Sequence, residues 1–249
     1  MSDEGELIKR RFIELHDRAE RNYCYTYTSF LGLLEQSLLT EALGYAKYAA
    51  FGGCKGAERV VVRFGDPEDI GYDEPFPISI IRISPRSQKF ADTLSHRDFL
   101  GSLMNLGIER ECLGDIAIVD NVGYLFCLDG ISDYICSSLD KIKHTDVVAS
   151  VIDALPDAPL YKTERRTIQL SSERLDAAVA KVFSLSRDDA QRLFSKGLVF
   201  ASGKEISSPS RAPHEDEIIS VRGHGRFIYR GVKSLSKKGK LNIEIDVYT

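Results

Sequence analysis

Basic side chains at helical spacing stand out in the last third of this 249-residue chain. Arg187 follows Ser186 at a predicted helix start, where free backbone N–H groups and the helix dipole favour a phosphate. Arg192 and Lys196 lie four residues apart, so one helix face carries both. The spacing therefore predicts a phosphate-binding surface. A capped helix with a solvated basic face is the plain alternative.

A second basic segment reads Arg-Gly-His-Gly-Arg over 222–226 and is followed by Phe227. If it stays extended, a period of two puts Arg222, His224, Arg226 and Arg230 on one side. The arginine guanidinium can hydrogen-bond to phosphate and stack on a base, so this segment is suited to bind RNA. The candidate RNA-binding residues are Arg174, Arg187, Arg192, Lys196, Lys204, Arg222 and Arg226.

Charge is distributed unevenly along the chain. The formal net charge is 33 − 37 = −4, which taken whole argues against a polyanion partner. Residues 165–249 hold 16 Lys and Arg against 10 Asp and Glu, or +6, so residues 1–164 carry 17 − 27 = −10. Such asymmetry points to nucleic-acid or membrane contact by the basic part.

Composition excludes other classes of protein. No run approaches the roughly 18 apolar residues of a membrane helix, so we expect a cytoplasmic protein without membrane contact. The five cysteines form no CxxC pair, and the five histidines form no cluster with metal-ligand spacing. We therefore expect no metal and no cofactor.

Helical periodicity dominates the first 49 residues, and mixed helix and strand signals follow. Ser95 and Asp98 form a predicted capping box for a helix that ends at Gly107. The resulting order ββαββα, closed by a strand over 147–152, predicts an α/β sandwich. The predicted elements are two helices in 6–49 joined at 23–29, strand 59–64, an acidic loop to Phe76, central strand 76–83, strands 116–119 and 124–128, and helix 131–142 with Tyr134, Ile135 and Leu139 inward.

A Pro-containing break over 155–159 separates these elements from the basic part. There, a capping box at Ser186 starts the second of two short helices, which stops at Gly197. Apolar and polar residues alternate from Leu241 to Val247, as in a strand with one buried face. The predicted elements are an extended segment at 167–170, helices 174–183 and 187–196, and strands 198–200, 218–221, 227–232 and 241–247.

The order helix, turn, helix, Gly, strand, turn resembles the S4 RNA-binding domain over roughly residues 170–230. The matching positions are Arg174-Leu175-Asp176, Ser186-Arg187, Ala190, Leu193 and Lys196-Gly197-Leu198-Val199. In the family, two short helices dock on a small sheet and face RNA. The usual Val-Asn-Gly turn reads Ala201-Ser202-Gly203 here, and the usual Gly-Asp reads Glu215-Asp216.

The middle of the chain indicates which group of S4-domain proteins this chain resembles. Residues 95–110 read SHRDFLGSLMNLGIER, followed by GDI over 114–116. This is similar to the HRDxLGxLxxLGIxRxxxGDI block of bacterial YlmH-type S4 proteins. The resemblance implies an RRM-like central domain, and a factor that steadies a tRNA on an obstructed large ribosomal subunit during quality control of stalled chains. His96, Arg97 and Arg110 are candidate ribosome contacts, although packing and ion pairs with Asp98 or Asp115 also account for this block.

These observations together predict an α+β protein with three parts. They are an N-terminal helical subdomain over 1–58, an RRM-like α/β domain over 59–153, and an S4 domain of the αL type over 164–249. The predicted function is non-catalytic binding of rRNA and tRNA by a monomer, with no DNA partner.

Two other classes of function stay open. One is a protein-interaction adaptor in cell division or photosystem assembly, for which the acidic part would be the working surface. The other is an S4-linked RNA-modifying enzyme, because Arg174-Leu175-Asp176 matches the context of a catalytic Asp in pseudouridine synthases. Here the triplet opens the S4 helix itself, no nucleotide-binding motif is present, and Asp176 suits a helix N-terminus.

Overall fold

The chain divides into two compact units, Met1–Leu160 and Tyr161–Thr249. The computed structural model describes residues 3–156, 160–161 and 163–248. Helices and strands are mixed in both units, which confirms the predicted α+β class. The predicted break over 155–159 lies partly outside the described residues. Within the described ranges, no helix is long and apolar enough to cross a membrane.

The first part of unit 1 packs two helices on a small antiparallel sheet of order β1-β3-β2. Phe12 and Leu15 on the first helix meet Leu43 on the second and Phe64 on the central strand, and all four are buried. Periodicity thus predicted both helices correctly. The elements are α1 (Asp3–Asn22), β1 (Thr26–Tyr27), α2 (Leu33–Leu43), β2 (Ala49–Phe51), β3 (Val61–Phe64) and α3 (Pro67–Ile70).

The predicted acidic loop before Phe76 contains the short helix α3. Its start is fixed by Asp66, whose carboxylate accepts the Glu68 N–H, and by Pro67 at the first helical position. Gly71 ends it in the left-handed conformation. The prediction of a loop was wrong here because these three local signals outweigh the acidic composition.

The second part of unit 1 is an antiparallel sheet of order β5-β6-β4-β8-β7. Helices α4 and α5 cover one face, where Phe99 and Ile135 pack on Ile81 and Leu125. The predicted central strand and the Ser95 capping box are confirmed. The elements are β4 (Ile78–Pro85), α4 (His96–Asn105), β5 (Leu113–Val119), β6 (Val122–Leu128), α5 (Ser132–Ser138), β7 (Lys141–Ile142) and β8 (Thr145–Ile152).

Three further predictions for unit 1 were wrong. The strand at 59–64 does not start the larger sheet, because its residues Val62 and Phe64 pack under α1 and α2 instead. The helix predicted over 131–142 ends at Ser138, since Ile142 pairs with Thr145 in a hairpin. Tyr134 faces solvent rather than the core.

The sheet face opposite α4 and α5, called the outer face below, is partly covered by the first part of unit 1. Phe126 on β6 is fully buried there, in contact with Phe30 and Val61. Gly53 crosses the Phe126 ring so closely that a Cβ atom would overlap the ring carbons. Packing across the outer face therefore joins the two parts of the unit.

We expect Gly53→Ala to lower the free energy of unfolding by about 2 kcal/mol, because a Cβ there overpacks the Phe126 contact. Gly53 and Gly71 share a left-handed backbone, with φ of +92° and +90°, but a Cβ at Gly71 would meet nothing within 4 Å. Gly71→Ala thus measures the backbone cost alone, about 1 kcal/mol. Equal losses for the two variants in urea titrations would contradict close packing at Gly53.

Unit 2 is a six-stranded antiparallel sheet of order β11-β10-β12-β13-β14-β9 with two helices on one face. Ile243, Ile245 and Val247 point into that core, which confirms the predicted alternation. The elements are β9 (Thr163–Leu170), α6 (Leu175–Val182), α7 (Arg187–Ser195), β10 (Val199–Ala201), β11 (Lys204–Glu205), β12 (Glu217–Val221), β13 (Gly225–Leu235) and β14 (Leu241–Tyr248).

Candidate nucleic-acid interface

A buried carboxylate, Asp176, organises the basic side chains at the start of α6. Arg174, the residue that caps this helix, donates from Nε and Nη2 to the two carboxylate oxygens at 3.0 and 2.8 Å. Arg187 on α7 places its Nε 3.6 Å from the same carboxylate, and Gln191 donates to it at 3.2 Å. One side chain thus links two of the predicted RNA-binding arginines.

Asp176 has no exposed side-chain surface, whereas the side chains of Arg174 and Arg187 are 33% and 57% exposed. Burial alone would raise the Asp176 pKa. Hydrogen bonds from Arg174 and Gln191 outweigh that effect and lower the pKa to about 2. The carboxylate is therefore ionised at neutral pH and holds the inner ends of two arginines whose outer parts face solvent.

Backbone carbonyls close the N-terminus of α6. The Leu175 N–H donates to Arg211 O and the Asp176 N–H to Pro209 O, both at 2.9 Å. Arg211 is anchored in turn by two hydrogen bonds to Glu217, at 3.0 and 2.7 Å. A phosphate at this end would therefore meet guanidinium groups rather than those two backbone N–H groups.

Helix α7 starts as its sequence predicts. Ser186 caps it by accepting the Asp189 N–H at 3.0 Å. Arg192 is largely exposed and lies 3.4 Å from Asp189, and Lys196 is exposed at the C-terminal cap. Exposed pairs of this kind contribute little to stability, so Arg192 is available for a stronger anion.

The Arg-Gly segment does not stay extended. Val221 pairs with Gly225, so residues 222–224 form the tight turn between β12 and β13. The turn lies against the end of α7, since the Arg222 N–H donates to Leu198 O at 2.9 Å, and the His224 ring lies 5.9 Å from Phe183. The four side chains Arg222, His224, Arg226 and Arg230 were predicted to share one side if the segment stays extended. Because it turns instead, only Arg226 and Arg230 lie on one strand face.

Arg226 lies on the sheet face opposite the helices. Its neighbour Phe227 points into the helix-covered core, while the Arg226 guanidinium lies 4.6 Å from the Tyr161 ring centre and 4.2 Å from that of Tyr248. Arg230 on the same face bonds Asp246 at 2.7 Å. Arg226 is thus separated from Arg174 and Arg187 by the thickness of the sheet.

Lys204 is exposed at the opposite edge of the sheet from β9, where it pairs with Ala201 in the β10–β11 hairpin. The predicted RNA-binding residues therefore fall into three places. They are the α6–α7 surface with its adjoining turn, the β10–β11 edge, and the far face of the sheet.

The candidate ribosome contacts lie in unit 1. Arg110 is half-buried and donates to Leu113 O and Gly114 O at 2.7 and 3.1 Å. Loss of solvent and the neighbouring Arg59 charge lower its pKa to about 10. Loss of solvent around the His96 imidazole and the Arg110 charge lower the His96 pKa.

Ion pairing in this block differs from the expected pattern. Asp98 pairs with Lys143 at 2.8 Å, and Asp115 accepts the Glu58 and Arg59 N–H groups at 2.7 and 3.1 Å. Arg97 is exposed on the first turn of α4. Much of the polarity of the block thus serves packing; of the three candidates, His96 and Arg97 are exposed and Arg110 is not.

Sequence reasoning missed the central part that Asp176 and Gln191 play at the α6–α7 surface. Asp176 was interpreted as a helix N-terminal acid, and its position on the first turn fits that. The available signal was an arginine at the helix cap two residues before the acid. Gln191 gave no signal, because its contact with Asp176 depends on how the two helices cross.

Comparison with known proteins shows which family the chain resembles. Residues 72–154 match the family model described as "Putative RNA-binding domain in YlmH". The chain is 30% identical over 234 residues to the Bacillus subtilis (strain 168) "Ribosome-associated protein quality control protein P2", covering 91% of this chain and 89% of that relative. The solved "Cell division protein ylmH from Streptococcus pneumoniae" is 26% identical and covers 61% of this chain and 93% of that one, with a TM-score of 0.48.

Proposed function

Because this chain belongs to the YlmH-type family of ribosome-associated quality control proteins, we propose that it binds rRNA and tRNA on the large ribosomal subunit. The observation that carries the proposal is the pair Arg174 and Arg187, held by the buried Asp176 on the basic unit of the chain. Fixed guanidinium groups lose little conformational freedom when they bind phosphate.

We further propose that unit 2 is an S4-type domain whose α6–α7 surface meets RNA. Two short helices on one face of an antiparallel sheet support this assignment. Arg192, Lys196 and Arg222 extend the same surface. Lys204 and Arg226 would contact RNA only if it wraps around the sheet edge or its far face.

The larger sheet of unit 1 is proposed to be RRM-like. A βαββαβ order with strands β5-β6-β4-β8 side by side, all antiparallel, supports the proposal. The pairing of β3 with β1 and β2 favours a start for this domain after Phe64 rather than at residue 59. The sequence predicted a division into 1–58, 59–153 and 164–249; with this change the first boundary moves to residue 64, and the other bounds stay as predicted.

We propose that the protein is not an enzyme. Asp176, the candidate catalytic acid, is fully buried and already bonded by Arg174, Gln191 and the Ala177 N–H. A nucleophile would have to leave all these partners to reach a substrate. The proposed factor is a cytoplasmic monomer that needs no cofactor, DNA or membrane.

Sedimentation tests the proposal directly. The full-length protein should travel with purified large ribosomal subunits, and more tightly when they carry a tRNA, and high salt should release it because phosphate contacts dominate. Equal binding to small subunits would count against a large-subunit factor. So would dissociation from large subunits at a low salt concentration.

A further inference from the structure

The outer face of the unit 1 sheet is not available to stack bases. In RRM domains, aromatic side chains on the sheet stack two or three bases. Here the two outer-face aromatic residues of β6, Tyr124 and Phe126, are 8% and 0% exposed, and Phe126 packs on Phe30 and Val61. An RNA that meets this unit must therefore use another surface.

The uncovered end of the outer face carries two arginines and one acid, Asp146, which lies 4.0 Å from the Lys141 amino group. Arg82 lies opposite Ser150, and Ser84 lies opposite Val148, which is 45% exposed. The Arg86 N–H donates to Asp146 O at 2.9 Å and continues this ladder, so Arg86 lies on the same face as Arg82. Both arginines are exposed.

An exposed aromatic residue follows these arginines in the chain, four residues after Arg86. Phe90 ends the 3-10 turn Gln88–Phe90 and is 80% exposed. The Lys89 amino group lies 5.5 Å from its ring centre. A free phenyl ring costs solvation energy unless a partner covers it, and its neighbouring cations favour an anionic partner over an apolar one.

We propose that Arg82, Arg86, Lys89 and Phe90, here called the basic rim, bind a single-stranded RNA segment, with Phe90 stacking on a base and the cations on phosphates. The inference rests on the proposed function and names the second RNA contact of the same protein. Proteins that bind single-stranded nucleic acid without sequence preference combine basic side chains with aromatic residues on which bases stack. Residues 1–164 carry a formal net charge of −10, which rRNA repels. The basic rim provides the local positive charge with which this part of the chain could approach rRNA.

Phe90→Ala in the full-length protein should weaken binding of a fluorescent single-stranded oligouridine about tenfold, because one stacking contact is lost. Phe90→Trp should keep the affinity, since a larger ring still stacks. Tyr45→Ala removes an aromatic residue that is 84% exposed elsewhere in unit 1 and should leave binding unchanged. An equal loss for Tyr45→Ala, or no loss for Phe90→Ala, would overturn the proposal.

Arg86→Ala with Lys89→Ala should make the salt dependence of oligouridine binding shallower by about 0.7 per lost phosphate contact. If these variants lower ribosome sedimentation but leave oligouridine affinity unchanged, the rim binds another part of the ribosome, and the proposal of a single-stranded RNA partner is wrong.

The rim substitutions Phe90→Ala and Arg86→Ala with Lys89→Ala can also be made in a variant that carries Arg174→Ala and Arg187→Ala. This comparison separates the proposal for the rim from the proposed function. The rim belongs to unit 1 and the α6–α7 surface to unit 2, so we expect their effects on binding to add. Loss of binding from the unit 2 changes alone would leave the proposed function standing and overturn the rim. No loss from either set would overturn the proposed function itself.

Discussion

Replacing Arg174 and Arg187 together by alanine should lower the affinity for large ribosomal subunits by at least about a hundredfold, because each charged hydrogen bond to phosphate contributes about 1.5–3 kcal/mol. The plot of log K against log salt should also become shallower by about one for each lost contact. Sedimentation at several salt concentrations measures both quantities. The loss should be similar for different RNA sequences, since phosphate contacts carry no sequence information.

Two controls separate binding from folding. Arg187→Ala alone leaves the Arg174–Asp176 pair in place, so it should keep the wild-type unfolding midpoint and lose about tenfold in affinity. Lys237→Ala/Lys238→Ala removes the same charge from the β13–β14 turn, and its effect should be small. If this lysine pair weakened binding as much as the arginine pair, only net charge would matter and the α6–α7 surface would have no special part.

The features that were predictable from sequence are those with local causes. A serine cap with an acid three residues later starts both α4 and α7, and a glycine follows the end of each helix. Each of these signals acts within one or two helical turns. The same is true of the alternation along β14, whose period survives because one face is buried by α6 and α7.

The features that were missed depend on distant partners. Strand β3 joins the small sheet because Phe64 fits against Phe12 and Leu15, about fifty residues earlier in the chain. Arg226 faces away from α7 because a three-residue turn precedes it and sets the phase of β13. Neither the turn length nor the packing partner can be read from the local pattern of charges.

The candidate site shows the same division. Its cations were predictable one by one, from type and spacing. Their arrangement was not, because Asp176 is buried only when the segment around Pro209 and Arg211 lies over the start of α6 and Gln191 approaches from α7. Tertiary contacts thus turn separate surface cations into a pair with one shared anchor.

Asp176→Asn should weaken RNA binding about tenfold even though it makes unit 2 more positive. Simple electrostatics predicts the opposite sign, since removal of a carboxylate attracts a polyanion more strongly. An asparagine side chain offers one acceptor instead of two, and its amide would oppose the Arg174 or Gln191 donors. Both arginines would then lose the anchor that holds them toward the RNA.

The same substitution should reduce stability in a pH-dependent way. The Asp176 pKa falls from 3.8 in the unfolded chain to about 2 in the folded protein, which corresponds to about 2 kcal/mol. A lowered folded pKa stabilises the protein above the unfolded value, and this contribution is lost as the pH falls from about 4 to about 2. Urea titrations should therefore separate wild type from Asp176→Asn at pH 6 and bring them together near pH 2.

Asp188→Asn is the matched control that shows whether removal of a carboxylate from this surface weakens or tightens RNA binding. Asp188 is exposed on the first turn of α7, beside Arg187, so its replacement removes one negative charge from the same surface without freeing the Arg174 anchor. It should tighten RNA binding slightly, because net charge alone changes. Opposite signs for Asp188→Asn and Asp176→Asn would identify Asp176 as a positioning residue. Tighter binding by both would mean that Asp176 only reduces the positive charge of the surface.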